Sequence, residues 1–263
     1  MLFRSSHLGK DARLGTLPMV VVLGDSGSAK TSVIVNSGAE AELLAGHVYQ
    51  DGLIVPSQSA NLWFARSAVI LEAGGRTPDQ PALWNSLLKR LKPAQMKAVL
   101  GSGRQAPRSA VVCVDAESLL RQSGGETAAQ TARRLNSKLQ DMCREMGIQL
   151  PVYVLFTRCD RIPFFMEYVA QLSDEESRQV VGVTVPLAVN QRVGTYAEEE
   201  TRRLTDAMST LNFGLADYRP VLLKREHNAQ SLPAVYELPR EFRKLRTAMV
   251  QFMVELCRPS QLQ

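Results

Sequence analysis

In Gly24-Asp-Ser-Gly-Ser-Ala-Lys-Thr31, small residues, a lysine and a hydroxyl stand at spacings that suit a polyphosphate. Such an anion must be met by several donors together, and a turn of small residues lets successive backbone N–H groups converge on it. The candidate binding residues are therefore Gly24, Asp25, Ser26, Gly27, Ser28, Ala29, Lys30, Thr31 and Ser32. Lys30 is placed to reach the β- and γ-phosphates of ATP or GTP, and the Thr31 hydroxyl to contact Mg²⁺. The spacing follows G-x-x-x-x-G-K-[ST], with Ala29 where a glycine usually precedes the lysine. A methyl group there restricts the backbone close to the ligand, so weak or slow nucleotide use is expected.

These residues need a strand before them and a helix after, and the pattern supplies both. Residues 19–23 are a continuous apolar run and a β-branched helix begins at Lys30. Segments 47–55 and 62–71 read as a hairpin-like pair of strands joined by the turn-prone residues 56–61. Gly74-Gly75 and Pro78 then break the pattern, and residues 82–100 return to helical spacing. Buried strands are expected at 110–115 and 150–156, with a helix at 126–146 between them that Gly147 ends. From Phe164 onward the chain reads as mostly helical, clearest at 196–211 and 238–257, apart from an edge strand at 180–185. Pro233 and Pro239 bracket the entry to the last helix. The expected fold is α/β, a mostly parallel sheet with flanking helices and a helical C-terminal extension. The expected divisions are a linker or terminus at 1–16, a nucleotide-binding domain at 17–190 and a helical extension at 191–263.

Ligands of open parallel sheets bind beyond the carboxyl ends of the strands, so the residues following each strand matter most. Here they are the phosphate loop, Glu72-Ala-Gly-Gly75-Arg76 and Thr157-Arg-Cys-Asp160. Their order resembles the small-GTPase-like branch of P-loop nucleotidases, in which an acidic residue and a glycine three positions later sense the γ-phosphate. That resemblance makes Glu72 a metal-supporting residue with Thr31, and Gly75 a phosphate contact. Asp115, ending another apolar strand, competes for the metal role or caps the following turn; the Gly75-Arg76 context favours Glu72. Arg76 joins Lys30 as a candidate for offsetting transition-state charge. In the same branch [NT]-K-x-D reads the base, which assigns Thr157, Arg158 and Asp160 to base contact, with arginine in place of lysine.

Composition excludes other classes. With 45% hydrophobic and 22% charged residues among 263, the chain reads as a globular protein rather than a disordered one. Its apolar runs are too short to cross a bilayer and it shows no signal peptide. A net charge of +5, from 31 basic and 26 acidic residues, predicts no nucleic-acid partner, and the basic run 240–246 reads as a solvated helix face. Cys113, Cys143, Cys159 and Cys257 are widely spaced and imply neither zinc nor disulfide.

Together these blocks resemble the cytosolic nucleotidase region of the IcmF/TssM family, the large inner-membrane protein of bacterial type VI secretion systems. The pieces are Leu17-Pro18, Trp63-Phe64, Ala68-Val-Ile-Leu-Glu-Ala-Gly-Gly-Arg76, Leu150-Pro-Val-Tyr-Val-Leu-Phe-Thr157, Phe165-Met-Glu-Tyr168, Arg178-Gln179, Gly182-Val-Thr184 and Tyr236-Glu-Leu-Pro-Arg-Glu-Phe242. The resemblance implies a domain on the cytoplasmic face of the inner membrane, itself soluble, with other membrane-complex and baseplate proteins as partners. Membrane attachment would come from segments absent here, so the chain is expected to be a fragment or a split gene product. It further implies Mg²⁺-dependent triphosphate binding, with slow hydrolysis regulating assembly. A scaffold with a vestigial nucleotide site is the rival reading. A metabolic kinase is disfavoured because no acceptor motif accompanies the loop.

Overall fold

The computed structural model describes residues 17–50, 53–54, 59–66, 68–91, 106–121, 124–185 and 196–259. The expected linker at 1–16 lies outside them, as do parts of the 47–55 strand, the 56–61 turn and the end of the 82–100 helix. Two compact units are distinguished, Met1–Val114 with Ser137–Thr157, and Asp115–Asn136 with Arg158–Gln263.

Among the described residues the first unit has the strands β1 (Met19–Leu23), β2 (Glu42–Ala45), β3 (Tyr49–Gln50), β4 (Leu53–Ile54), β5 (Ala60–Ala65), β6 (Ala68–Ala73), β7 (Arg108–Asp115) and β8 (Val152–Thr157). Six form one sheet in the order β2-β5-β6-β1-β7-β8, while β3 and β4 pair separately as an antiparallel ribbon. β1 is parallel to β6 and β7, but β5 is antiparallel to β6 and β2 is antiparallel to β5. The sheet is thus mixed, which corrects the expectation of a mostly parallel one.

The cause lies in the segment 62–71, apolar on either side of Arg66-Ser67, which reads as one strand but folds as the hairpin β5–β6. Ala65 pairs with Ala68 across a two-residue connection, and Arg66 takes a left-handed φ of 50°. Primed hairpin turns use such a conformation because their twist matches that of the flanking strands. A second departure concerns β8, expected to be buried. It sits last in the strand order with Tyr153 59% exposed and Val152 and Leu155 also exposed.

One face of the sheet buries Val22, Trp63 and Cys113 with Ile34 of helix α1 (Lys30–Val35). Burying side chains of this size contributes about 1.5–3 kcal/mol each, which fixes α1 against β1. The parallel registers set Val22 opposite Glu72 and Leu23 opposite Val112. The chain therefore leaves β1 beside the end of β6. Helix α2 (Pro81–Leu91) follows, burying Trp84, Leu88 and Leu91.

The remaining helices are α3 (Ala116–Leu119), α4 (Gly124–Met146), α5 (Phe165–Val169), α6 (Asp174–Ser177), α7 (Tyr196–Arg225) and α8 (Leu232–Leu256). In α4, Ala128, Ala132, Leu135, Leu139, Met142 and Met146 recur every three or four residues and all are buried. Gly147 takes φ 64° and donates its N–H to Cys143 O at 2.8 Å, the left-handed cap expected there. No helix among the described residues is long and apolar enough to cross a membrane.

In the second unit, α7 and α8 pack antiparallel. Tyr196 donates to Val254 O, Arg246 to Ser209 Oγ, Asn212 to Pro239 O and Arg219 to Tyr236 O. Both helices outrun the sequence expectation. α7 continues past residue 211 through Pro220, and α8 begins six residues before Leu238, with Pro233 in its first turn and Pro239 inside it. Proline removes one ladder donor, and burial of Leu222, Val235, Leu238 and Pro239 outweighs that loss. Residues 180–185 lie outside any strand, and Val180 is 94% exposed. The basic run pairs along its own helix, Arg240 with Glu237 and Lys244 with Glu241, as a solvated face does.

Ser173 caps α6 in a capping box with Glu176, and Glu176 also accepts from Tyr218 and Arg225 of α7. Arg225, then Tyr218 and the Ser173 backbone, hold this carboxyl far below its usual 4.5. A depressed folded value gives stability that is present above the unfolded value and lost as pH falls below it. The second unit is therefore expected to lose stability below about pH 4.5, and Glu176→Gln to flatten that fall. Helical circular dichroism in thermal melts of both proteins at pH 7 and pH 3.5 measures it; parallel curves would show that α6 is held by other contacts.

Candidate functional site

The loop after β1 is tightly constrained backbone. Gly24 has φ 147°, and a Cβ on it would lie 2.4 Å from Cys113 O. Gly27 has φ 82°. Ser28 folds the turn back, its N–H donating to Asp25 O at 3.2 Å and its hydroxyl to the same oxygen at 2.9 Å. Ala29 sits at φ 56°, ψ 24°, in the left-handed region, as the residue preceding α1.

The motif's usual glycine at this place thus has a conformational reason. A left-handed alanine costs about 1–2 kcal/mol, and a glycine loses about 0.5–1 kcal/mol more chain entropy on folding. Ala29→Gly is expected to raise the stability of the first unit by roughly 0.5 kcal/mol, seen as a small increase in urea midpoint. A decrease would mean that the Ala29 methyl packs usefully.

Lys30 and Thr31 open α1, each only 5% exposed. The Lys30 ammonium donates to Gly24 O at 3.0 Å and Asp25 O at 2.7 Å, arching over its own loop. Thr31 Oγ1 donates to Glu72 Oε1 at 2.5 Å. Glu72 is fully buried, and its other oxygen accepts from Asn61 Nδ2 at 3.0 Å and Trp63 Nε1 at 3.3 Å. Asn61 stands directly opposite Glu72 in the β5–β6 register.

Asn61 and Trp63 are the residues that sequence reasoning missed. The signal was there: on β5 the buried positions are Asn61, Trp63 and Ala65, and an asparagine on the inward face of an alternating strand calls for a buried partner. Beside this group the Cys113 thiol is pushed up to about 11 by burial, with Lys30 pulling it down and Glu72 pushing it up, so it stays protonated at neutral pH.

The Gly74-Gly75 segment approaches the loop closely. A Cβ on Gly75 would lie 2.3 Å from Ser26 N and 2.7 Å from Ser26 Cα, so only a glycine fits without moving one backbone. Arg76 is exposed and leads into a 3-10 turn, Thr77–Asp79. Ser32 is the third residue of α1, its carbonyl accepting from Asn36. Thr157, at the end of β8, sets its hydroxyl 3.0 Å from Ser28 O and 3.1 Å from Val114 O, tying the strand end to the loop.

Arg158, Asp160 and Asp115 belong to the second unit. Asp115 caps α3 by accepting from Glu117 N, and its other oxygen takes a hydrogen bond from Arg158 at 3.1 Å. It performs the capping role that was one of its two readings. Among the described residues, the carboxylate that meets the Thr31 hydroxyl is that of Glu72.

These residues can be tested against Mg²⁺. No group of three or more histidine, cysteine, aspartate or glutamate side chains among the described residues could cage a metal. A hydroxyl beside one buried carboxylate is nonetheless a suitable hard-oxygen pair, because Mg²⁺ commonly takes one or two protein oxygens and completes its shell with phosphates and water. The donor set fits an ion that arrives with a polyphosphate.

Comparison with known proteins adds two findings. The model of the IcmF-related N-terminal domain matches residues 79–263. The type VI secretion system component TssM1 of Pseudomonas aeruginosa is 29% identical over 272 aligned residues, covering 98% of this chain and 23% of TssM1. The chain thus spans about a quarter of that relative's length. A family match over most of the chain, with this chain aligned almost end to end to part of the relative, carries the conclusion that the chain belongs to the IcmF/TssM family.

Proposed function

We propose that this chain is a nucleotide-binding domain of a type VI secretion membrane complex, taking up a Mg²⁺-bound nucleoside triphosphate, ATP or GTP, through a P-loop NTPase fold. The observation that carries the reading is the Thr31–Glu72 hydrogen bond beneath the Gly24–Thr31 turn, with Lys30 arched over the same turn. Lys30 would exchange its carbonyl partners for phosphate oxygens, and loop amides around Ser26 and Gly27 would meet the remaining charge. Thr31 and Glu72 would hold the metal, whose chemistry would be to neutralise negative charge on the phosphates. Gly75, packed on Ser26, is placed to respond to the terminal phosphate, and Arg76 to lend charge if the segment moves. No side chain is assigned to orient the attacking water, so hydrolysis is slow unless a partner supplies that group. The domain would work on the cytoplasmic face of the inner membrane, with membrane-complex and baseplate proteins as partners and nucleotide state regulating assembly.

One observation favours the rival, a scaffold whose nucleotide site is vestigial. The family model matches from residue 79 onward and so takes in neither the loop nor Glu72. Calorimetric titration of the chain with millimolar ATP and GTP, with and without Mg²⁺, separates the two readings. Mg²⁺-dependent heat supports the nucleotide domain. Its absence with both nucleotides leaves the scaffold.

A further inference from the structure

Asn61 and Trp63 stand two positions apart on the buried face of β5, and both side chains end on the same carboxylate oxygen of β6, Glu72 Oε2. Each is only 2% exposed, and Glu72 is wholly buried. The main chain fixes the sense of the Asn61 amide. Its Oδ1 accepts the His47 N–H at 3.1 Å, and a Cβ on Gly46 would collide with that oxygen, so the NH₂ end faces Glu72. With Oε2 taken by the amide and the indole, Oε1 is the oxygen turned to the Thr31 hydroxyl.

A hydroxyl has one proton and two lone pairs, and a carboxylate accepts without donating. The proton of Thr31 is therefore spent on Glu72, and the hydroxyl offers a ligand its lone pairs. Lone pairs suit a hard cation and repel a phosphate oxygen. Turning the hydroxyl round would take a donor from a buried carboxylate, an unfavourable exchange that keeps this orientation in place when a ligand arrives. We infer that Asn61 and Trp63 are positioning residues for the metal: they hold Glu72 where it orients the Thr31 hydroxyl toward Mg²⁺. The inference rests on the Mg²⁺-polyphosphate reading above and adds two residues to it, both acting through Glu72 and Thr31. Loss of an outer partner of this kind commonly costs about 10- to 100-fold in metal affinity.

The test is calorimetric titration of the whole chain with ATP and, separately, GTP, in Mg²⁺ and in EDTA, on wild type, Asn61→Leu and Trp63→Phe. Wild type is expected to bind at least about tenfold more tightly with Mg²⁺, and each variant to lose most of that advantage while its affinity in EDTA stays within about twofold. Metal-free binding depends on Lys30 and the loop amides, which make no printed contact with either residue. Trp63→Phe keeps an aromatic ring in the core and carries the test if Asn61→Leu does not fold. An unchanged Mg²⁺ advantage in a folded variant, or equal weakening with and without the metal, overturns the inference, because a group that only supports the fold lowers both affinities together. Wild-type binding that ignores Mg²⁺ also overturns it and leaves phosphate binding standing. No heat from wild type with either nucleotide removes the phosphate site as well.

Discussion

Lys30→Ala is expected to weaken Mg²⁺-nucleotide binding by roughly 10- to 100-fold in calorimetric titration. A charge-assisted hydrogen bond contributes about 1.5–3 kcal/mol, and the ammonium group would make such bonds to the terminal phosphates. The effect on stability should be smaller. The variant loses the hydrogen bonds to Gly24 O and Asp25 O, but Asp25 O keeps both contacts from Ser28. The turn should therefore persist, held also by Thr157 against Ser28 O, and the variant should remain folded enough to titrate. Unchanged affinity would make Lys30 a brace of its loop and nothing more, and the scaffold reading would then be preferred.

The second large effect is on folding. Glu72→Ala should destabilise the first unit by roughly 3 kcal/mol or more, because it strands three buried donors at once: the Thr31 hydroxyl, the Asn61 amide and the Trp63 indole N–H. These losses share one acceptor group, so they are not additive and the figure is an order of magnitude. Tryptophan fluorescence in urea measures it selectively, since both tryptophans of the chain, Trp63 and Trp84, belong to the first unit. Glu72→Gln keeps one acceptor but turns an amide NH₂ toward the same donors, and should fall between wild type and alanine. A shift below about 1 kcal/mol for Glu72→Ala would mean that water replaces the carboxylate easily and that the cage is loose.

Much of this chain was legible before its structure, for reasons visible in particular residues. The course of the loop follows from local spacing, since the strand, the small-residue turn and the helix that Lys30 opens are consecutive in the chain. The stripe of α4 and its Gly147 cap, and the core-facing stripe of α8, follow from a period of 3.6 residues, which depends on nothing beyond the segment itself. What failed was also local in origin. The segment 62–71 is apolar on either side of Arg66-Ser67, and reading through that polar pair as one strand left the antiparallel hairpin and the mixed sheet unread. Pro233 and Pro239 read as bracketing the entry to the last helix, yet the helix runs through both, because propensity is weak against burial.

The sequence by itself determined which residues bring small-residue backbone, an ammonium group and a hydroxyl to the end of β1, and the helical and extended periods that carry them. Only the tertiary structure decided how they are paired. Strand register sets Glu72 beside Val22 and opposite Asn61, which delivers a carboxylate to Thr31 from 41 positions away. It also turned Arg158 toward Asp115 and Glu117, contacts that no local pattern encodes. Periodicity arises within a segment, whereas register and ion pairing arise between segments, where packing and the need to satisfy buried polar groups make the choice.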